Sequence, residues 1–179
     1  MTRSLDFLLA LVGLTLGLPL LLALVVASYL DTGSPIFCQI RVGLNRKPFV
    51  LVKLRTMRPG TASVATHLAD ASAVTPLGRF LRRSKLDELL QLWNVLKGDM
   101  SLVGPRPCLF NQEELIEERL SRGVFDVRPG ITGLAQIQGI DMSTPRLLAE
   151  TDAAMLNDLN LTAYFKYIVK TVAGSASDF

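Results

Sequence analysis

From Phe7 to Leu30 the chain runs 24 residues without a charge, and this stretch constrains the fold more than any other part of the sequence. A helix of that length measures roughly 36 Å, against about 30 Å for the hydrocarbon core of a bilayer. The run therefore predicts a membrane segment. It is longer than the apolar core of a cleaved secretory signal, and only Val25-Val26-Ala27 approximates a cleavage site. Pro19 falls in the middle, two residues after Gly17, where it removes a backbone hydrogen bond and crowds the carbonyl of Thr15. A break near Pro19 is expected, and both a kinked spanning helix and a re-entrant hairpin are compatible with it.

Charge orients this segment. Residues 41 to 58 hold Arg41, Arg46, Lys47, Lys53, Arg55 and Arg58 with no acid among them, so the positive-inside rule puts the body of the protein in the cytoplasm, and Arg3 favours the N-terminus there too. Net charge is only +3, but residues 79 to 85 add Arg79, Arg82, Arg83 and Lys85, whereas residues 111 to 160 carry nine acids against four basic residues. One face should be basic and suited to lipid headgroups or phosphorylated substrates. Nucleic acid is not an expected partner, since no nucleic-acid motif is visible. Cys38, Cys108 and His67 are too few for zinc, which leaves an oxygen-liganded ion such as Mg²⁺ as the metal the chain could use. In the cytoplasm both cysteines are expected to be buried free thiols.

After the turn cluster Asp31-Thr-Gly-Ser-Pro35, Ile36 to Ile40 and Phe49 to Leu54 read as strands of a β-hairpin. Residues 59 to 75 are aperiodic and read as a mobile loop. Pro76 to Arg83 alternates apolar and cationic faces, and Leu161, Tyr164, Phe165, Ile168 and Val172 keep helical spacing; each suits either a helix lying at a membrane surface or one packed on the core. Asn111 to Arg122 reads as a solvated, Glu-rich helix. The expected class is α+β and helix-rich, with a membrane segment over 1–30 and a cytoplasmic domain over 31–179.

Within that domain, Ser84-Lys-Leu-Asp-Glu-Leu-Leu-Gln-Leu-Trp93 sets two adjacent carboxylates, Asp87 and Glu88, behind the cationic cluster. Ser84 reads as an N-cap with Asp87 as the acid of a capping box, while Leu86, Leu89, Leu90, Trp93 and Leu96 form an apolar face. A capped amphipathic helix is the bland interpretation; acids held for chemistry on phosphate is the sharper one. Two Gly/Pro-rich loops follow, Gly98-Asp-Met-Ser-Leu-Val-Gly-Pro-Arg-Pro107 and Val127-Arg-Pro-Gly-Ile-Thr-Gly133, each fixing an arginine beside proline and glycine.

Taken in order with Gln39-Ile-Arg-Val-Gly43, Lys53-Leu-Arg-Thr-Met57 and Leu86-Asp-Glu-Leu-Leu-Gln-Leu92, these loops resemble the bacterial sugar transferase family, the monotopic phosphoglycosyl transferases, from the membrane segment to about residue 172. The resemblance implies a re-entrant helix broken at proline, interfacial helices, an active site on the cytoplasmic face of the bacterial inner membrane, and Mg²⁺ dependence. It also implies transfer of a sugar-1-phosphate from a UDP-sugar to undecaprenyl phosphate, with release of UMP, as the first membrane step of lipopolysaccharide, capsule or exopolysaccharide synthesis. By the same resemblance Asp87 is the nucleophile and Glu88 its catalytic partner; both are candidate Mg²⁺ ligands, and positioning the incoming phosphate and proton transfer are equally open roles for Glu88. Lys53, Arg82, Arg106 and Arg128 become candidates for holding phosphate, Lys53 rather than Arg55 because it falls at the family's basic position. Asp152 falls near a family acidic position, with a loop or helix cap as its plainer alternative.

The chain departs from the family pattern in three places. Leu18-Pro19 stands where Ser-Pro is usual, Leu134 where a Trp is often found, and Ile140-Asp141 where an arginine is common, which leaves Arg146 as the nearest substitute for that arginine.

The residue types suit the reaction. A free Asp ionises with a pKa of about 3.9, so a carboxylate nucleophile needs no activating base. Repulsion is the obstacle: two unit charges about 4 Å apart cost on the order of 4 kcal/mol at an effective dielectric near 20. Arginine forks, a lysine and Mg²⁺ offset that cost at a diphosphate. A membrane-anchored adaptor whose basic face binds lipid headgroups is the competing function, but it has no need of the ordered carboxylate and Gly-Pro-Arg motifs.

Overall fold

In a computed structural model, which describes residues 2–61 and 71–173, the apolar run forms one helix, α1 (Thr2–Thr32). Among the described residues it is the one helix long and apolar enough to cross a membrane. Leu8, Val12, Leu16, Leu22, Val26 and Leu30 along it are exposed. The expected break does not interrupt the helix, which continues through Pro19. Proline deletes one hydrogen bond, and the turns on either side keep theirs.

The chain then forms β1 (Ile36–Val42) and β2 (Pro48–Leu54), a two-stranded sheet closed by a tip in which consecutive left-handed residues, Asn45 and Arg46, turn the backbone. α2 (Pro76–Arg83) and α3 (Gln91–Lys97) follow, then β3 (Ser101–Val103), α4 (Glu113–Ser121), β4 (Gly130–Thr132), α5 (Leu134–Ile137), α6 (Pro145–Asp158) and α7 (Leu161–Val172). The result is helix-rich α+β with a small sheet, as expected. β3 and β4 add a short parallel pair, with Ser101 opposite Gly130 and Val103 opposite Thr132. The loop expectation for residues 59–75 falls largely on 62–70, outside the described residues.

Two compact units divide the chain: Met1–Ile40 with Val50–Gly98, and Arg41–Phe49 with Asp99–Phe179. The first is built on Leu24 of α1, Leu54 of β2 and Leu81 of α2, with Leu77, Leu86 and Leu90 packed against them. α1 also lies along α3: a Cβ on Gly13 would stand 3.1 Å from Leu92 and one on Gly17 3.7 Å from Leu89. At its start, Arg3 donates to the carbonyls of Val95 (2.6 Å) and Leu96 (3.0 Å), closing the C-terminal turn of α3. The second unit is centred on Val42, Cys108, Leu115, Phe125, Leu148 and Ala149. α4 is therefore not simply solvated, because Leu115 and Arg119 face inward. Only one of the two thiols is buried: Cys108 is, and Cys38 is exposed on β1.

Candidate active site

In the first unit Thr75 caps α2, its side chain accepting from the Gly78 amide at 2.9 Å. A Cβ on Gly78 would lie 2.0 Å from the Thr56 carbonyl oxygen, so only glycine lets α2 lie this close to the chain leaving β2. One turn later, Arg82 donates from Nε to the Thr56 hydroxyl at 2.9 Å.

Ser84 does not start the next helix. It ends α2, with its hydroxyl donating to the Phe80 and Leu81 carbonyls, and Lys85 then takes a left-handed conformation (φ 57°) that reverses the chain. The carboxylates consequently sit in a 3₁₀ turn, Leu86–Glu88, ahead of α3, with Asp87 buried and Glu88 half-buried. A sequence Ser-x-x-Asp is compatible with either end of a helix; the left-handed Lys85 decides between them. Trp93, expected on the apolar face, is exposed, whereas Asn94 is fully buried.

Lys53 and Arg55 both lie over the Phe37 ring, at 5.7 and 5.5 Å from its centroid. Arg55 commits its fork to the chain entering β1, donating to Ser34 O (2.8 Å), Ser34 Oγ (3.2 Å) and Ile36 O (3.1 Å). That is a structural task for Arg55. Lys53, Arg82 and Asp87 each adjoin in sequence a member of a single apolar cluster, Leu54, Leu81 and Leu86 respectively. In the first unit the leucine cluster therefore packs together the strand, helix and turn that carry Lys53, Arg82 and the carboxylate pair, and α2 packs directly on the carboxylate turn.

The second unit joins the two Gly/Pro loops. Ser101 N donates to Pro129 O at 2.9 Å, Gly104 N to Thr132 O at 2.8 Å and Gly130 N to Pro105 O at 2.9 Å. A Cβ on Gly130 would stand 2.0 Å from Gly104 N, and one on Gly104 2.6 Å from Arg128 O, so the backbones touch where side chains cannot fit. Arg106 and Arg128 flank this crossing. Beneath it lies a residue the sequence did not single out: Arg119 donates to Asp152 Oδ2 from Nε (3.0 Å) and Nη2 (2.6 Å), and to Arg106 O from Nη1 (2.8 Å). Both members of this ion pair are fully buried. Burial pushes the Asp152 carboxyl above its ordinary value, against the lowering pull of Arg119, and burial likewise raises the Cys108 thiol. Asp152 is neither a cap nor an exposed ligand; it lies inside α6 as the partner of a buried guanidinium.

Arg146 lies on the outer face of α6 and donates to Glu150 at 3.0 Å, where Arg122 also reaches at 3.3 Å. That carboxylate raises the Arg146 pKa, while hydrogen bonding to Arg146, opposed by desolvation, lowers that of Glu150. Asp141 accepts from the Ser143 amide and hydroxyl, forming an Asx turn ahead of α6.

Among the described residues, no three His, Cys, Asp or Glu side chains gather into a metal cluster. The adjacent carboxylates Asp87 and Glu88 offer hard oxygens of the kind Mg²⁺ accepts, and an ion of that type takes its remaining ligands from water and phosphate. The donor set fits it.

The chain is 37% identical over 182 residues to a UDP-glucose:undecaprenyl-phosphate glucose-1-phosphate transferase of Caulobacter vibrioides, an overlap covering 95% of this chain and 67% of that protein. It is 50% identical over 111 residues to the sugar transferase EpsL of Bacillus subtilis, covering 62% of this chain and 54% of the relative. With a UDP-N-acetylgalactosamine-undecaprenyl-phosphate N-acetylgalactosaminephosphotransferase of Aeromonas hydrophila it shares 32% identity over 182 residues, 95% of this chain and 42% of the relative. It therefore spans between 42% and 67% of these three relatives' own lengths. The model of one family, bacterial sugar transferase, matches residues 1–177, and by that match the chain belongs to the bacterial sugar transferase family.

Proposed function

We propose that this chain transfers a sugar-1-phosphate from a UDP-sugar to undecaprenyl phosphate, as the first membrane step of a bacterial glycan. Asp87 attacks the phosphorus that carries the sugar; a carboxylate oxygen–phosphorus bond forms, the bond to the nucleotide phosphate breaks, and UMP leaves with that electron pair. An oxygen of undecaprenyl phosphate then attacks the same phosphorus and frees Asp87. Lys53 and Arg82 hold the donor diphosphate against the carboxylate, and Arg106 and Arg128 are the second unit's phosphate ligands. Glu88 orients the incoming phosphate. Mg²⁺ held by Asp87 and Glu88 would neutralise diphosphate charge.

The observation that carries this reading is the leucine cluster that packs together, in one unit, the three elements carrying Lys53, Arg82 and Asp87, with the carboxylate in a tight turn instead of on a solvated helix. The relatives' names supply the substrate classes. The test is a panel of UDP-sugars with undecaprenyl phosphate, read as UMP release. Asp87→Asn should lower turnover at least about a thousand-fold, the scale seen when a nucleophile is removed. Glu88→Gln should be impaired yet still form a sugar-phosphate adduct on Asp87, visible by intact mass. Membrane binding without UMP release from any donor would point to the adaptor instead.

The same reading takes α1 as a re-entrant anchor in the inner membrane, bent near Pro19, with the catalytic units on the cytoplasmic face. Two features support it. Arg3 before Pro19 is bonded to α3, and Leu24 beyond Pro19 joins the cluster against which Leu86 packs, so residues on both sides of Pro19 serve one unit. α2 and α7 suit the interface, since Phe80 on the one and Leu161, Phe165, Val169 and Val172 on the other are exposed. Ser4→Cys, in a background of Cys38→Ser and Cys108→Ala, should resist impermeant thiol reagents in intact cells; labelling from outside would leave a single-pass anchor.

A further inference from the structure

β2 has two edges. One pairs with β1. On the other, a lone side chain takes the place of a neighbouring strand: Asn94 Nδ2 donates to Val50 O at 2.7 Å, and its Oδ1 accepts from Val52 N at 3.1 Å. A carbonyl at one residue and an amide two residues on point to the same edge of a strand, so a primary amide presents the complementary pair that a strand's own peptide would. The side chain is fully buried. Both of its bonds are made in a single orientation, because a flipped amide would set donor against donor and acceptor against acceptor.

The two ends that this amide connects are those the reaction needs to align. Asn94 lies on α3, which is continuous with the carboxylate turn through successive hydrogen bonds: Glu88 N to Lys85 O, Leu89 N to Leu86 O, Leu92 N to Leu89 O and Trp93 N to Leu90 O. Asp87 therefore lies seven residues before Asn94, in a 3₁₀ turn that leads through hydrogen-bonded turns into α3. On the strand side, Val52 immediately precedes Lys53. The leucine cluster resists separation of these elements but is indifferent to a small slide of β2 along its axis, since apolar contact has no direction. A bidentate amide is not indifferent: sliding the strand breaks both of its bonds and leaves buried polar groups unmatched.

We propose that Asn94 is a positioning residue that fixes the height of Lys53 along β2 relative to Asp87, and so sets where the donor diphosphate is held. The inference rests on the reading that Lys53 binds that diphosphate. Asn94 touches no substrate and acts only through the strand.

A double-mutant cycle on the purified full-length protein in nanodiscs tests it, with kcat/KM for the accepted UDP-sugar and the thermal midpoint both measured. Lys53→Met and Asn94→Ala should each lower kcat/KM by about a hundred-fold, the cost of misplacing a reacting group by an ångström or so. The double variant should be no more than about three-fold worse than the worse single one, since the two changes remove the same alignment. Penalties that multiply in the double variant, or a lowered midpoint with kcat/KM unchanged in Asn94→Ala, would overturn the proposal. Should Asn94→Ala not fold, Asn94→Ser, which keeps a donor and an acceptor, takes its place in the cycle; if neither folds, the residue is structural and the proposal fails. A fully active Lys53→Met protein would instead remove Lys53 from phosphate binding, and the inference with it.

Discussion

The carboxylate turn at Leu86–Glu88 and the crossing of the two glycine-proline loops both carry charged residues that the proposed reaction uses, yet their backbones are held by different means. The turn is held from outside by side chains: Arg3 bonded to the end of α3, Asn94 of α3 bonded to β2, and Arg82 bonded to Thr56. The crossing is held by backbone against backbone, with glycines where the chains touch and a buried ion pair beneath. Side-chain ties can be shortened or lost one at a time. A backbone contact has no smaller version, so the two regions should respond very differently to conservative change.

The sharpest contrast is Gly130→Ala. Its methyl would sit 2.0 Å from Gly104 N, 2.6 Å from Gly104 Cα and 2.7 Å from Gly104 O, all backbone atoms with nothing flexible to yield. A loss of more than about 4 kcal/mol is expected, enough to abolish a cooperative melt. A stable, folded Gly130→Ala protein would erase the distinction between the two regions.

Next in size is the pair under the crossing. Arg119→Met leaves Asp152 buried without its cation and should cost about 3–5 kcal/mol, whereas Arg119→Met with Asp152→Leu should recover most of that. Burial already raises the Asp152 carboxyl, and removing Arg119 raises it further. The folded chain then holds that proton more tightly than the unfolded one, a contribution complete below the ordinary carboxylate pKa and lost as pH rises through the raised value. The Arg119→Met penalty should therefore be smaller near pH 4 than near pH 7 in denaturant melts; a pH-independent penalty would mean that Asp152 is not the group responsible.

Smaller, and opposite in sign, is Lys85→Gly. Lys85 holds φ at 57° so that the chain can turn from α2 into the carboxylates. Relieving that conformation should stabilise the protein by up to about 1 kcal/mol, with UMP release retained, because the turn keeps its shape. The smallest effect belongs to Arg146→Gln. Its exposed pair with Glu150 should leave the thermal midpoint unchanged within error, and a change in sugar preference would be the sign that it serves in place of the family arginine.

Much of this was legible from the chain. The apolar run, the hairpin, and the helices over 76–83 and 161–172 follow from periodicity, and the ordered motifs pointed to the family. Three features were not legible, each for its own reason. Ser84 resembles an N-cap because Ser-x-x-Asp is blind to the left-handed residue between. β3 and β4 are too short to show a period, and their pairing depends on glycines far apart in the sequence. Arg119 looks like one more charge on a polar helix, and its partner lies 33 residues away. Asn94 did leave a trace: it continues the row Leu86, Leu90 at a spacing of four, and a lone polar residue in such a row marks a buried hydrogen bond.

The division of the chain into units is crossed three times, between residues 40 and 41, 49 and 50, and 98 and 99. Neither unit is a continuous stretch of sequence. A fragment ending at Gly98 contains everything the first unit needs, but it also carries the hairpin tip, whose Val42 belongs to the other unit's core and whose amide bonds to Cys108. During synthesis that tip waits for residues made much later, and the second unit cannot begin to close until they arrive. The carboxylate turn and the arginine loops are thus sewn into one thread, and neither can be moved to another protein as a cassette.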